Sequence, residues 1–326
     1  MTAKLHWADK RENGSYLAIR ILLALYRLGG KWLILICLAP VLGYFFAKDR
    51  VARQASLDYL RQLHRYAGNK SPFNATPGYW QAYRHFWHFA LAALAKIDAW
   101  LGRISPTQVS YGGAMPFEQI VASGKGAVLI ASHLGNTDVC RALVRSRHPV
   151  KINVLAHTKH AEAFNRILKD SNSEVDLELI EVTELTPAVS MRLSDCIDRG
   201  ELVVVVGDRI SAQAPERAIW ANFLGKPAPF AIGPWVLASL MQCPVYLMFC
   251  MKQHQGYNLM FEPFAELITL NRKQRQQQLS ELIQRYALAL EKVACRYPLQ
   301  WFNFYDFWQL PVAGQHKETS GDHSSK

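Results

Sequence analysis

The chain lacks the short motifs that mark several large enzyme classes. It has no G-x-x-x-x-G-K-[ST] or G-x-G-x-x-G phosphate loop, no G-x-S-x-G nucleophile elbow and no histidine pair at metalloprotease spacing. Its six cysteines occur singly, without a C-x-x-C pair. These absences argue against nucleotide-type phosphate binding, serine hydrolysis, a zinc site and a disulfide framework, and single cysteines are typical of a reducing compartment.

Acidic residues are scarce relative to basic ones. The chain carries 37 Lys and Arg against 26 Asp and Glu, which gives a net charge of +11. Such a balance favours anionic partners: nucleic acid, anionic lipid headgroups or an acidic carrier protein. Because the basic residues are spread along the chain and no zinc finger, RNP-like strand or basic-region helix occurs, we do not expect a nucleic-acid partner.

A clean apolar run long enough to span a bilayer is also lacking. The best candidate, residues 32–47, contains a proline and a glycine and is shorter than the usual length of about 20 residues. Extending it towards residue 17 brings in Arg20, Arg27 and Lys31, which are costly at mid-bilayer. We predict a helical, membrane-associating region over residues 1–110. Whether 32–47 spans the bilayer, dips into it or forms a plain buried helical layer stays open.

Two further helices are predicted in this region, at residues 56–66 and 79–99. The second contains His85 and His88, which are three residues apart and would share one helical face, as metal ligands do. The aromatic residues around them favour a packed or interfacial helix in which these histidines are incidental. We therefore expect no metal.

From about residue 124 the pattern changes to short β-rich runs that alternate with helical stretches. This alternation predicts an α/β domain over residues 111–312, with a mostly parallel sheet flanked by helices and the last two strands pairing as an antiparallel edge. A polar tail, residues 313–326, is predicted to be disordered. The predicted strands are 127–131, 152–156, 177–181, 202–206, 245–250 and 258–262, and the predicted helices are 138–146, 161–170, 187–198, 233–241 and 272–295.

Chemistry-bearing residues follow the first of these strands. His133 comes after it, a Gly135–Asn136 turn follows, and Asp138 opens a helix. The active sites of α/β proteins lie at the carboxyl ends of their strands. At this position the arrangement suits a histidine base whose tautomer is fixed by an acid. A plain capped helix fits as well, with Asn136 as N-cap and Asp138 as a first-turn acid. Spacing alone leaves both interpretations open.

A second polar group, Gly207-Asp208-Arg209, directly follows the predicted strand 202–206. Arg209 has the planar fork that binds a phosphate or carboxylate, although Asp208 and Arg209 would also make a structural ion pair. The irregular stretch after it leads to a loop, 222–230, whose composition is typical of a site-lining segment. Its candidates are Phe223, Gly225 and Pro227.

Taken together, these blocks resemble the lysophospholipid acyltransferase superfamily, in its lipid A late acyltransferase branch. The resemblance rests on the His-x4-Asp block, on Gly207–Arg209 with Phe223–Ala228, and on Pro-x-Gln-Trp at residues 298–301. It is closest to bacterial predicted acyltransferases associated with aryl polyene lipid biosynthesis. The opening His6-Trp7-Ala8 and the closing Trp301 to Trp308 segment carry that likeness, which covers nearly the whole chain.

The resemblance implies a glycerolipid-acyltransferase-like fold and transfer of a fatty acyl group from a thioester to a hydroxyl or amine of a lipid or glycolipid. His133 would deprotonate the acceptor while Asp138 holds its ring, without a covalent acyl-enzyme. Asn136, Asp208 and Arg209 are candidates for substrate binding or oxyanion stabilisation. No cofactor is expected beyond the co-substrate, which is acyl carrier protein or acyl-CoA.

The implied location is the bacterial inner membrane, with the catalytic domain on the cytoplasmic side. The expected partners are acyl carrier protein, a membrane lipid acceptor and the anionic membrane surface. The Phe-x-Glu-Gly-Thr-Arg block of glycerolipid enzymes and the His-Arg-Arg ending of lipid A enzymes are absent, so the acceptor is left open. A non-catalytic lipid- or carrier-binding protein of the same fold and a thioester hydrolase are the alternatives.

Overall fold

The computed structural model describes residues 34–100, 103–114, 117–140, 150–156, 179–181, 186–210, 214–254 and 256–310. Several sequence-based predictions lie outside these residues. They are the start of the apolar N-terminal region, most of the helix 138–146, the helix 161–170 and the polar tail 313–326.

A seven-stranded sheet and a separate two-stranded sheet make up the described strands. The strands are β1 Val109–Gly112, β2 Ala127–Ala131, β3 Ile152–Ala156, β4 Leu179–Glu181, β5 Leu202–Val206, β6 Ala218–Phe223, β7 Lys226–Ala231, β8 Val245–Gln253 and β9 Gly256–Ala265. The large sheet has the order β1-β9-β8-β2-β5-β3-β4, and all its neighbours pair in parallel except β8 and β9. The mixed α/β architecture with a mostly parallel sheet is confirmed.

The antiparallel pair β8–β9 was expected at an edge of the sheet, and that placement is wrong. β1, which the sequence did not predict, pairs in parallel with β9 and covers it, while β8 pairs with β2. β1 is only four residues long and its side chains are partly exposed, so its sequence carries little apolar periodicity.

The central strands β2 and β5 determine where the functional residues lie. Their sequences, AVLIA and LVVVV, are continuous apolar runs, as expected for strands covered on both faces. They pair in parallel with Ala131 opposite Val206, so both strands end at the same level. The segments that follow them therefore emerge side by side at one edge of the sheet.

Residues 218–231 form a β-hairpin, where the sequence suggested an irregular stretch and a loop. β6 and β7 pair antiparallel, and the two-residue turn Leu224–Gly225 has positive φ at both positions, 52° and 75°. This backbone twist matches that of paired strands. Pro227 and Pro229 argued against a strand at the level of the sequence. A strand that pairs on only one of its sides nevertheless tolerates proline.

Helices cover the sheet and form the N-terminal layer. The predicted helices 187–198 and 233–241 are confirmed, whereas the short helix 117–122 was missed. The predicted helix 56–66 begins earlier, at residue 50, because Asp49 caps it and accepts a hydrogen bond from the Ala52 N–H at 2.9 Å. The helices are α1 (34–48), α2 Arg50–Ala67, α3 Tyr79–Trp100, α4 Phe117–Ala122, α5 (from residue 137), α6 Pro187–Asp198, α7 Gly233–Met241 and α8 Arg275–Arg296.

The N-terminal helices are packed onto the α/β core. Tyr59, Leu60 and Leu63 of α2 belong to the same buried cluster as Trp301. Outward-facing aromatic residues remain on this layer, including Tyr44 and Trp80. Over the part of the chain that the structure describes, no helix combines the length and the apolar character needed to cross a membrane.

Candidate active site

An imidazole and a carboxylate meet where β2 and β5 end. His133 lies two residues beyond the end of β2, and Asp208 lies two residues beyond the end of β5. The parallel register of these strands brings the two side chains together, with His133 Nδ1 2.8 Å from Asp208 Oδ1.

Asp208 is fully buried and surrounded by hydrogen-bond donors. The backbone N–H of His133 donates to both carboxylate oxygens at 3.1 and 3.0 Å, the Trp301 indole Nε1–H donates to Oδ2 at 2.9 Å, and the Asn303 amide donates to Oδ2 at 3.4 Å. Burial by itself raises the pKa of Asp208, but the His133 ring, the Arg209 charge and the Trp301 hydrogen bond outweigh it and lower the pKa to about 2. The carboxylate is therefore ionised at neutral pH.

The partner of His133 defines its tautomer. An ionised carboxylate only accepts hydrogen bonds, so Nδ1 of His133 carries the proton and Nε2 keeps a lone pair. Burial and the Arg209 charge lower the pKa of His133, while Asp208 opposes that shift. The side chain is 30% exposed, against 0% for Asp208. A neutral, partly exposed imidazole with a free lone pair on Nε2 is equipped to act as a general base.

Glycine is required in the turn that presents His133. Gly135 has φ of +85°, and a Cβ at this position would lie 2.3 Å from the Cys250 carbonyl oxygen. Its N–H donates to the Gln300 carbonyl at 2.8 Å, and the N–H of Asn136 donates to the Cys250 carbonyl at 2.8 Å. The turn is thus fixed against β8 on one side and the C-terminal segment on the other.

The carboxylate that bonds to His133 in the structure is that of Asp208, whereas the spacing suggested Asp138. Among the described residues, no hydrogen bond or ion pair joins His133 to Asp138. Asp138 instead makes an ion pair with Lys96 of α3, with Oδ2 2.7 Å from Nζ. The chain turns sharply at Gly135 and enters α5 directly, and this geometry sends the Asp138 carboxylate towards α3. A catalytic part for Asp138 stays a prediction.

Asn136 is the N-cap of α5. Its Oδ1 accepts a hydrogen bond from the Val139 N–H at 3.2 Å, and its Nδ2 donates to the Ala92 carbonyl of α3 at 2.8 Å. The capped-helix interpretation and the histidine-base interpretation of this block are therefore compatible. An oxyanion role for Asn136 stays a prediction, since these contacts are structural.

Arg209 is held by the C-terminal segment. Its Nε donates to Asn303 Oδ1 at 3.0 Å, its Nη2 donates to the Phe302 carbonyl at 3.0 Å, and its guanidinium lies 5.8 Å from the centre of the Tyr305 ring. Burial lowers the pKa of Arg209 from its usual value. The charges of Asp208 and Arg209 each act on the pKa of the other residue, and a structural Asp208–Arg209 ion pair stays a prediction.

The C-terminal segment 300–303 supplies functional residues that sequence reasoning missed. Trp301 bridges Leu134 as in an antiparallel pair, and the Phe302 N–H donates to the His133 carbonyl at 2.9 Å. The segment therefore lies across the His133 turn, and Trp301 and Asn303 reach Asp208 from it. The Pro-x-Gln-Trp block was the available signal, but nothing in the sequence assigned its side chains a role.

The predicted lining residues of the 222–230 segment lie in or near the β6–β7 turn. Phe223 is a fully buried core residue. Its ring packs against the rings of Trp301 and Phe307 at centroid distances of 5.0 and 5.6 Å, so it supports the site through Trp301. Gly225 and Pro227 are exposed in the turn region. A lining role for these two stays a prediction.

A small apolar cavity opens beside the start of α5. Thr137 and Asp138 form one side of it, and apolar side chains that include Phe117, Val204 and Phe261 form the walls. The cavity lies in the layer between α4 and the sheet, with Thr137 and Asp138 at one side of it.

Comparison with known proteins identifies the family of this chain. Within the part of the chain that the structure describes, no group of three or more His, Cys, Asp or Glu residues is placed to hold a metal ion. A comparison with curated proteins found no match. Residues 13–309 match the family model described as bacterial lipid A biosynthesis acyltransferase. Since this match covers most of the 326 residues, the chain belongs to the bacterial lipid A biosynthesis acyltransferase family.

Proposed function

We propose that this protein moves a fatty acyl group from an acyl thioester to a hydroxyl or amine of a lipid or glycolipid acceptor, with His133 as general base and Asp208 as its orienting acid. Membership of the family makes the protein an acyltransferase that acts on lipid. The observation that carries the mechanism is the His133–Asp208 pair, in which a buried, ionised carboxylate holds a partly exposed imidazole.

The reaction needs no nucleophile from the protein. The acceptor O–H or N–H gives its proton to His133 Nε2 as the acceptor atom attacks the thioester carbonyl carbon. The tetrahedral intermediate then collapses, the C–S bond breaks, and the imidazolium returns the proton to the departing thiolate. Between these two proton transfers, Asp208 stabilises the imidazolium by accepting the hydrogen bond from its Nδ1–H. The products are an acylated lipid and a free thiol.

Arg209 is the proposed anchor for an anionic group of a substrate, or for the developing oxyanion. Its contacts with Asn303 and Phe302 fix the guanidinium beside the dyad. Because the charge is already in position when the reaction begins, it stabilises the transition state without any reorganisation of the site. The apolar cavity next to Asp138 is the proposed entrance for the first carbons of the acyl chain, because its walls are hydrocarbon.

The N-terminal layer is the proposed contact with the inner membrane, with the dyad on the cytoplasmic side. Tyr44, Phe45 and Trp80 are each at least half exposed on it. Basic residues lie among them, since Lys48 Nζ is 5.2 Å from the centre of the Tyr44 ring and Arg53 lies over Tyr79. Exposed aromatic and basic residues in one layer are typical of a bilayer interface with anionic lipid.

The donor is proposed to be acyl carrier protein or acyl-CoA, with the excess of basic residues favouring an acidic carrier. The opening and closing segments of the chain support an acceptor of the aryl polyene lipid type. Transfer from two alternative donors to a total lipid extract identifies both substrates, because the donor that is used and the lipid that becomes labelled are observed directly.

The test is transfer of a labelled acyl group from acyl carrier protein, or from CoA in a parallel reaction, to a total lipid extract, with the product identified by mass spectrometry. We expect His133→Ala to lower the rate by at least ~10²-fold, the usual size of an acid–base contribution. His254→Ala, at an exposed position on the β8–β9 connection, is the matched control.

Full transfer by both His133→Ala and Asp208→Asn would overturn the mechanism. Acyl release into water without any acceptor lipid would instead identify a thioester hydrolase. Binding of lipid or carrier without either reaction would identify a non-catalytic protein of the same fold.

A further inference from the structure

A second histidine, His85 of α3, is fully buried and takes no part in the chemistry above. Its Nδ1 is 2.9 Å from Ser56 Oγ of α2, and its Nε2 is 2.9 Å from the Trp301 carbonyl oxygen. A carbonyl only accepts, so Nε2 carries the proton and Nδ1 accepts from the Ser56 hydroxyl. Burial lowers the pKa of His85 to about 3, which keeps the ring neutral at working pH.

Trp301 links this histidine to the dyad. Its carbonyl accepts the hydrogen bond from His85, and its indole Nε1–H donates to Asp208 Oδ2 at 2.9 Å. The same residue bridges Leu134, beside His133. The chain of contacts therefore runs from Ser56 through His85 and Trp301 to the carboxylate that orients the base.

The Trp301 carbonyl accepts a second hydrogen bond from the Asn303 backbone N–H at 2.9 Å, and the side chains around His85 are mainly aromatic. The ring lies among Tyr59, Phe302 and Phe304, at centroid distances of 5.7, 6.1 and 4.7 Å. Trp301 itself is 0% exposed. Removing the imidazole N–H would leave this buried carbonyl with one of its two hydrogen bonds, the one from the Asn303 N–H, and the loss of a buried hydrogen bond favours a shift of the segment.

We propose that His85 is a positioning residue for the acyl transfer, because its hydrogen bond to the Trp301 carbonyl fixes the indole that holds Asp208 in line with His133. This inference rests on the proposed function for its activity readout. The α2–α3 layer, which carries exposed aromatic residues, then helps to position the general base.

Three substitutions separate this role from simple packing. The amide nitrogen of glutamine reaches about as far as His Nε2, so His85→Gln retains a donor for Trp301. Asparagine is too short to reach it, and leucine has no donor. We expect His85→Asn and His85→Leu to lower kcat by about tenfold with KM unchanged, and His85→Gln to recover most of it. His88→Leu, on the same helix, is the control and should leave kcat unchanged.

An NMR measurement tests, independently of activity, whether His85 fixes the Trp301 indole. The indole ¹⁵N–H signal of Trp301, assigned by its loss in Trp301→Phe, should shift and exchange faster with solvent in His85→Asn and His85→Leu. It should stay near its wild-type position in His85→Gln. Ser56→Ala, which removes only the partner of Nδ1, should give a smaller change in the same direction and covers the case in which His85→Leu fails to fold.

The inference is overturned if His85→Gln is as impaired as His85→Leu, or if the Trp301 indole signal stays unchanged in every folded variant. If the wild-type protein shows no acyl transfer, the proposed function fails, yet the indole measurement still decides whether His85 fixes Trp301. The two failures are therefore distinguishable.

Discussion

Two carboxylates lie near His133, and they differ in every property that matters for orienting a base. Asp138 is close to His133 in the chain, its side chain is 25% exposed, and it pairs with Lys96. Asp208 is distant in the chain, fully buried, and bonded to the imidazole and to three further donor groups. In this structure the acid that orients His133 is the one from the neighbouring strand.

The difference follows from the sheet rather than from sequence spacing. Parallel strands in register deliver equivalent positions to the same place, and His133 and Asp208 occupy equivalent positions after β2 and β5. Asp138 follows a turn that starts a new helix, so its direction is fixed by α5 and by α3. Proximity along the chain is therefore a weaker guide to a catalytic pair than proximity across the sheet.

The largest expected effect contrasts the two carboxylates directly. Asp208→Asn should lower kcat/KM by about 10³-fold, because an amide both removes the negative charge and stabilises the wrong imidazole tautomer. Asp138→Asn should cost no more than about tenfold, because its carboxylate contacts Lys96 rather than the ring. The measurement is acyl transfer by the two purified variants, with thermal unfolding as the control for folding. The reverse ranking would contradict the assignment.

The pH dependence gives a second, smaller contrast. The neutral imidazole is the base, so kcat/KM falls as the pH drops through the pKa of His133. Burial and Arg209 lower that pKa from 6.5, so the midpoint of the acid limb should lie below 6.5. Asp208 raises the pKa of His133, and its neutralisation in Asp208→Asn should move the midpoint lower still.

Asp138→Asn is the matched control for this shift, and its midpoint should stay close to that of the wild type. A pH–rate profile of kcat/KM for the three proteins makes the comparison. A midpoint above 6.5 in the wild type, or one that responds to Asp138 rather than Asp208, would count against the account.

The smallest expected effect concerns the Lys96–Asp138 pair itself. Both partners are partly exposed, at 41% and 25%, and exposed ion pairs contribute little. A double-mutant cycle with Lys96→Ala and Asp138→Ala should give a coupling of about 0.5–1 kcal/mol in the free energy of unfolding, measured by urea denaturation. A coupling of several kcal/mol, accompanied by loss of transfer, would show that this pair belongs to the catalytic machinery.

Much of the architecture could be predicted from the sequence because its elements carry strong local patterns. The predicted bounds of β2, β3, β5, α6 and α7 match the structure. The continuous apolar runs of β2 and β5 also placed His133 and Asp208 at strand ends. Where the local pattern was weak or misleading, as in the short β1 and the proline-containing β7, the prediction failed.

The hydrogen-bond partner of His133 could not be predicted because it depends on strand order and register. Nothing in a single sequence states that β2 lies beside β5 with Ala131 opposite Val206. The contacts of Trp301 with Asp208 and of His85 with Trp301 are likewise made between distant segments. A short motif shows which residue types are present, whereas the tertiary fold decides which of them touch.

The most direct test of the central claim is the imidazole ¹H–¹⁵N NMR spectrum of His133, assigned by its loss in His133→Ala. The wild-type protein at neutral pH should show the Nδ1-protonated neutral tautomer, with a downfield Nδ1–H signal from the hydrogen bond to Asp208. That signal should vanish in Asp208→Asn and persist in Asp138→Asn. A signal that persists in Asp208→Asn and vanishes in Asp138→Asn would contradict the account.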